Sequence, residues 1–177
     1  DGKELPQKLS NLVLLLNKPR GVLCSCKDTH GRKTVTNLIP SDLRRGIHPV
    51  GRLDSDSRGA ILLTNNGDLT LRLTHPRYYH TKTYLVWVRG QPSQAILNSW
   101  RKGILLDGKM TLPATIKVMN MINNNTLLKV ILKEGRKRQI RRLATIFGHP
   151  VHDLQRIAIS HIKLNGLEEG KWRELKT

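Results

Sequence analysis

Short apolar runs punctuated by Gly, Pro and Asn dominate the chain, and they predict a protein built mostly of strands. Leu12–Leu16 reads as a buried strand that runs into Asn17-Lys18-Pro19-Arg20-Gly21, and Val22–Cys26 resumes extended character, a pattern that predicts a hairpin. Thr34–Leu43 predicts a short helix broken near Ile39 by Pro40. His48–Gly59 predicts a polar loop that leads into the strand Ala60–Thr64, after which Asp68 is placed to cap a helix through Thr74. Thr83–Arg89, β-branched and aromatic, is a strand; Pro92-Ser93-Gln94 opens a helix to about Lys102, with Ile96, Leu97 and Trp100 on one face. Strands follow at Ile104–Leu106, Thr115–Met119 and Thr126–Leu132, and further short ones at Leu154–Ile159 and His161–Leu164. Arg136–Phe147 has helical spacing at Ile140, Leu143, Ala144 and Phe147, so most of its cations fall on the opposite face before Gly148 stops it. Many strands and few helices, with no repeat or linker between them, predict one α+β unit around a mixed, mostly antiparallel sheet.

Charge narrows the partner. With 31 Lys and Arg against 13 Asp and Glu, the 177-residue chain carries a formal charge of +18, and a polyanion is the first expectation. No stretch approaches the roughly 18 apolar residues a membrane span needs, so nucleic acid is preferred to a membrane surface. Cys24 and Cys26 are too close for a structural disulfide and lack a second ligand pair for zinc, which fits a reducing cytoplasm. The seven histidines lack metal-ligand spacing, and neither a Ser–His–Asp set nor a phosphate-binding glycine loop is present. Residues 1–11 are expected to be an extension or linker, with one catalytic domain over 12–177.

Two segments place dense polar chemistry beside buried strands, Gly51–Gly59 and Glu134–Leu143, and they are expected to form two walls of one site. Asp54 and Asp56, at i and i+2, point to opposite sides of an extended segment, so only one faces a given cleft. An ionised carboxylate there acts as nucleophile or base, whereas an Asx-turn or an ion pair with Arg52 is the plain alternative for Asp54; Asp56 is expected to support the turn. Arg136–Arg142 holds five cations in seven residues at a helix start, either a solvated face or a phosphate-binding stripe. Tyr84 either packs on the sheet or stacks on a base swung out of its RNA.

Taken in order, Asn17-Lys18-Pro19-Arg20-Gly21, Gly51–Gly59 with Leu62–Gly67, Lys82-Thr83-Tyr84 and Glu134–Leu143 closely resemble the bacterial ribosomal-RNA pseudouridine synthases of the RsuA type, and the likeness runs from Leu12 to Leu175. The resemblance implies an antiparallel sheet spanning two lobes, with an RNA-binding cleft between them and helices on the flanks. It also implies a uridine isomerase that breaks the N-glycosidic bond, turns the uracil and rejoins it through carbon, with no metal and no cofactor. Asp54 matches the family's nucleophile, Tyr84 the aromatic that stacks on the target base, Arg141 the basic partner of the aspartate, and Arg52 an arginine that helps hold the flipped nucleotide. Lys18, Arg136, Lys137, Arg138 and Arg142 are expected to bind RNA. Lys137 stands where the family usually has Asn and Ala60-Ile61 where Leu-Leu is common; the small S4-type domain of many relatives is absent from this sequence.

The implied partner is ribosomal RNA, bound by a monomer in the cytoplasm. Leu112-Pro113-Ala114 and the stretch Gly170–Leu175 favour the large subunit. Alternatives are a small-subunit enzyme, a non-catalytic ribosome-assembly factor, and a DNA-binding regulator. Asp54 together with Tyr84 and Arg141 favours the enzyme, and no DNA-reading motif supports the last.

Overall fold

The computed structural model describes residues 2, 10–75, 77 and 80–176; most of the expected extension over 1–11 lies outside them. Strand β1 (Val13–Lys18) is buried at every position. Leu14 and Leu16 join Val35, Ile61 and Leu63 on one face, while Leu15 joins Ala60, Leu62 and Ile159 on the other. Burial of both faces is why the run is continuous rather than alternating.

The hairpin predicted between Leu12–Leu16 and Val22–Cys26 does not form. β1 pairs antiparallel with β3 (Arg58–Thr64) and β11 (Trp172–Glu174), and Leu23 makes only an isolated parallel bridge to Thr34. β3 is buried from Gly59 to Thr64, so this pairing encloses far more apolar surface than Val22–Cys26, where only Val22 is buried, would offer. His48–Val50, expected as loop, is strand β2, an edge position beside β3 where Pro49 need not donate to the ladder. The helix expected over Thr34–Leu43 is two 3-10 turns, Val35–Leu38 and Ser41–Leu43, divided at Pro40. Helix α1 (Gly67–Thr74) is capped by Asn66, whose side chain accepts from the amides of Asp68 and Leu69, and not by Asp68.

Strand β4 (Lys82–Arg89) is followed by α2 (Gln94–Lys102), the small hairpin β5 (Leu105–Leu106) and β6 (Lys109–Met110), then β7 (Thr115–Ile122) and β8 (Asn125–Leu132). Helix α3 (Gln139–Ile146), β9 (Val151–Ile159) and β10 (Ile162–Lys163) precede β11. The long sheet runs β11-β1-β3-β9-β4-β8-β7, with β2 on β3 and β10 on β9. Leu97 and Trp100 of α2 and Ile140 and Leu143 of α3 pack with Tyr84, Val86, Val88, Leu128 and Val130 in one core. The α+β expectation of a mixed, mostly antiparallel sheet with flanking helices is met.

One join in the sheet differs from the others. β3 and β9 run parallel and pair over only Arg58↔Gln155 and Gly59↔Arg156. At that point a Cβ on Gly59 would sit 2.2 Å from the carbonyl oxygen of Arg156, and Gly59 has φ +117°. Only glycine permits this approach. The buried Arg156 reinforces the join by donating from Nε to the Ala60 carbonyl at 2.8 Å. The two halves of the sheet meet at the residue where the Gly51–Ser57 loop enters β3.

Candidate active site

The loop carrying Asp54 is fastened at both ends. Leu53 is buried in the β1/β3 core and its amide donates to the Cys24 thiol, while Ser57 is buried on the other side. Between them the Ser57 amide donates to the Asp54 carbonyl at 3.0 Å, which closes a turn. The turn is also tied to the segment after β1, because the Gly21 amide donates to the Ser55 carbonyl at 2.6 Å.

Lys18 makes the same tie from inside. It is fully buried, and its ammonium donates to the carbonyls of Pro19 (2.9 Å), Val22 (2.8 Å) and Ser55 (3.4 Å). The expectation that Lys18 binds RNA is therefore wrong; a phosphate cannot reach it. Burial lowers its pKa, and the neighbouring Cys24, Asp56 and Asp54 oppose that shift. The Cys24 thiol is pushed up by burial, in keeping with a packing role.

The second wall is equally fixed. Gln139, at the start of α3, is buried; its amide donates to Glu134 at 3.0 Å and its oxygen accepts from the Arg136 amide at 3.3 Å. Glu134 also accepts from the Leu112 amide at 2.8 Å. Arg136, Lys137 and Arg138 thus precede α3 rather than riding on it. Arg138 takes a left-handed conformation, φ 52°, unusual for a residue with a long side chain.

The two walls meet, but with a different pairing from the one expected. Because the segment is a turn and not extended, Asp54 and Asp56 face the same guanidinium. Arg138 donates to both oxygens of Asp56 at 3.0 and 2.9 Å and lies 3.4 Å from an oxygen of Asp54. Arg141 is 3.5 Å from Asp56 and donates to the Asp56 carbonyl and the Ser57 hydroxyl, and among the described residues no ion pair joins it to Asp54. The partner of Asp54 is Arg138, which had been expected only to bind RNA. Asp56 does more than support a turn. The Arg138 hydrogen bonds hold its carboxyl below the usual carboxylate range against the opposing effect of burial, with help from the Arg141 charge.

Asp54 itself is left open. Its side chain is 36% exposed, and no hydrogen bond from the described residues reaches its carboxylate. Burial lowers the pKa of the Arg141 guanidinium, with Asp56 opposing, and its Nε is buried without an acceptor. Such an orphan donor is uncommon in a folded core.

Tyr84 is placed differently from the expectation of a free stacking platform. It is 8% exposed and belongs to the core shared by β4, α2 and α3. It stands opposite Arg156 of β9, which stands opposite Gly59 of β3, so two strand spacings, roughly 9–10 Å, separate its backbone from the join that carries the Asp54 loop.

The basic residues divide into two groups. Arg136 is spent on the carbonyls of Lys109 and Leu106, and Arg142 pairs with Asp107 at 2.6 Å. Arg52 and Lys137 are exposed and make no ion pair or hydrogen bond among the described residues. Sequence reasoning missed Ser57, which receives Arg141, and Asp153, which receives both Arg20 and Arg58.

Among the described residues no group of His, Cys, Asp and Glu has the arrangement of a metal site, and no helix is long and apolar enough to cross a membrane.

Comparison with known proteins identifies the family. Residues 12–145 match the family model described as RNA pseudouridylate synthase. An RNA pseudouridine synthase of Aquifex aeolicus is 42% identical over 177 residues, covering 99% of this chain and 70% of the relative. The ribosomal large subunit pseudouridine synthase B of Bacillus subtilis is 39% identical, over 93% of this chain and 68% of that protein. A crystal structure of a pseudouridylate synthase superposes with a TM-score of 0.85 at 31% identity, covering 97% of this chain and 73% of the other. With one open aspartate on a turn braced by arginines, on a fold shared along nearly its whole length, this chain belongs to the RNA pseudouridylate synthase family.

Proposed function

We propose that this chain isomerises a uridine of large-subunit ribosomal RNA to pseudouridine, with Asp54 as the nucleophile. The observation that carries the choice of residue is the division of labour between the two aspartates. Arg138 occupies both oxygens of Asp56 and makes only a single 3.4 Å contact with Asp54, so Asp54 alone keeps its lone pairs for a substrate. The arginines orient the loop through directional, charge-assisted hydrogen bonds.

The reaction is an isomerisation: the bond from the sugar to the ring nitrogen breaks and a bond from the sugar to a ring carbon forms. That carbon loses a proton, the nitrogen gains one, and the formula is unchanged. A carboxylate that attacks the nucleoside and later departs serves such a sequence without a metal or cofactor. The uridine must leave its stack to reach Asp54. Tyr84, in the row that ends at Gly59, is proposed to lie against the base once the uridine is in place, and the free cations Arg52 and Lys137 to hold the flanking phosphates. The large-subunit reading is supported by relatives named as ribosomal large subunit pseudouridine synthases B and E. The catalytic unit is proposed to span 12–177 and to work as a monomer in the cytoplasm.

The test is to incubate wild type and Asp54→Asn with unmodified ribosomal RNA of each subunit and map pseudouridines chemically. Wild type is expected to modify a large-subunit position, and Asp54→Asn to bind RNA while forming none. Modification of small-subunit RNA alone would replace the substrate. Full activity in Asp54→Asn would remove the nucleophile, and absence of any product from wild type would favour the assembly-factor reading.

A further inference from the structure

An open groove with about 490 Å³ of space lies on the sheet face turned away from α2 and α3. Side chains alternate across a strand, so with Tyr84, Val86 and Val88 packed under the helices, Trp87 projects to the opposite face, as does Asp153 of β9 beside it. The half-buried Trp87 forms one wall. Arg20, Arg58 and Asp153 form another, and Ile122, Asn123 and Asn125 of the β7–β8 hairpin, with His152, complete the rim.

The chemistry of this groove is that of a nucleotide site. Asp153 is clamped between Arg20 and Arg58, the latter at 2.7 Å, which leaves one net positive charge and unused guanidinium N–H groups on both arginines. The side-chain amides of Asn123 and Asn125 make no hydrogen bond among the described residues, so donors and acceptors remain for a base edge. An indole wall offers a stacking surface that tolerates any base. The volume falls within the ~300–1,000 Å³ range of small-molecule sites.

Its position links it to the site already described. Arg20 sits in the turn whose Gly21 amide bonds Ser55, the residue after Asp54, and it is near enough to Arg141 for the two charges to disfavour each other. Arg58 follows the Asp54 turn directly.

We propose that this groove seats a nucleotide flanking the target uridine in the same RNA, with its base stacked on Trp87 and its phosphate held by Arg20 and Arg58. The inference rests on the isomerase reading and adds a specificity subsite to it. An acidic peptide would satisfy the arginines but would leave the indole and the amides unused.

The experiment compares wild type, Trp87→Leu and Trp87→Phe, each confirmed folded by its thermal melt, in single-turnover pseudouridine formation on a large-subunit RNA transcript. Trp87→Leu is expected to raise the half-saturating enzyme concentration roughly 5- to 150-fold, the range that base–aromatic stacking supports. The saturated rate should fall much less, and Trp87→Phe should recover most of the loss. An unchanged half-saturation, or a loss confined to the saturated rate, overturns the subsite. A readout independent of turnover uses the Trp172→Phe background, where the only other tryptophan, Trp100, is buried and shielded from ligand, so a short uridine-rich oligoribonucleotide should quench the Trp87 part of the fluorescence. If wild type lacks isomerase activity the quench still tests the groove, and quenching by polyglutamate but not by the oligonucleotide overturns the nucleotide reading.

Discussion

Replacing Gly59 with Ala adds one methyl group at the join between the two halves of the sheet. The new Cβ would lie 2.2 Å from the Arg156 carbonyl oxygen and 2.6 Å from its nitrogen, against an ordinary contact of 3.4 Å or more, so the strands must separate by about 1 Å. Both clashing atoms are backbone and neither can swing aside. Strain at φ +117° adds about 1–3 kcal/mol, and the parted strands put at risk the hydrogen bond from Arg156 to Ala60, worth about 1 kcal/mol or more. With the steric displacement the loss is about 3–5 kcal/mol, at the severe end for a single substitution. For an m value of about 2–3 kcal/mol/M in urea, the unfolding midpoint should fall by about 1–2.5 M. Gly67→Ala is the matched control. It makes the same chemical change at the start of α1 where nothing lies within 4 Å, and its midpoint should hold or rise slightly. A Gly59→Ala midpoint within about 0.3 M of wild type would refute the claim that this close approach holds the sheet together.

Two further outcomes follow from the ion pairs. Arg138→Gln removes the group shared by Asp54 and Asp56 and should lower the single-turnover rate roughly 10- to 150-fold, the equivalent of a charge-assisted hydrogen bond, with the variant still folded; an unchanged rate would return the orienting role to Arg141. The Asp153 carboxyl is held below its ordinary 3.8 chiefly by its hydrogen bond to Arg58, so its stabilising contribution is present above 3.8 and is lost as pH falls through the lower folded-state value. Wild type should therefore exceed Asp153→Asn by about 1–2 kcal/mol in urea unfolding at neutral pH, with the gap shrinking below 3.8; a pH-independent gap would rule out a charge effect.

Much of the fold was readable in local pattern. β4, β8 and α2 stand where alternation and helical spacing placed them, and α3 does too except that it starts three residues later, at Gln139, because each buries a single face whose period is written in consecutive residues. Pairing was less legible. Which strand captures β1 depends on comparing Val22–Cys26 with a segment more than forty positions away, and no local signal ranks those partners. His48–Val50 became a strand only because an edge of β3 was free.

The site shows the same division. The sequence by itself determined the residue types and their order, the charge that selects a polyanion, and the motif likeness that singled out Asp54. Only the tertiary structure decided who touches whom: Lys18 turned inward to hold carbonyls, Arg138 took the place expected of Arg141, and Tyr84 joined a core. The physical reason is that burial and ion pairing depend on distances between segments far apart in the chain. One backbone turn at Asp54–Ser57 was enough to bring onto a single guanidinium two carboxylates that an extended strand would have kept on opposite faces.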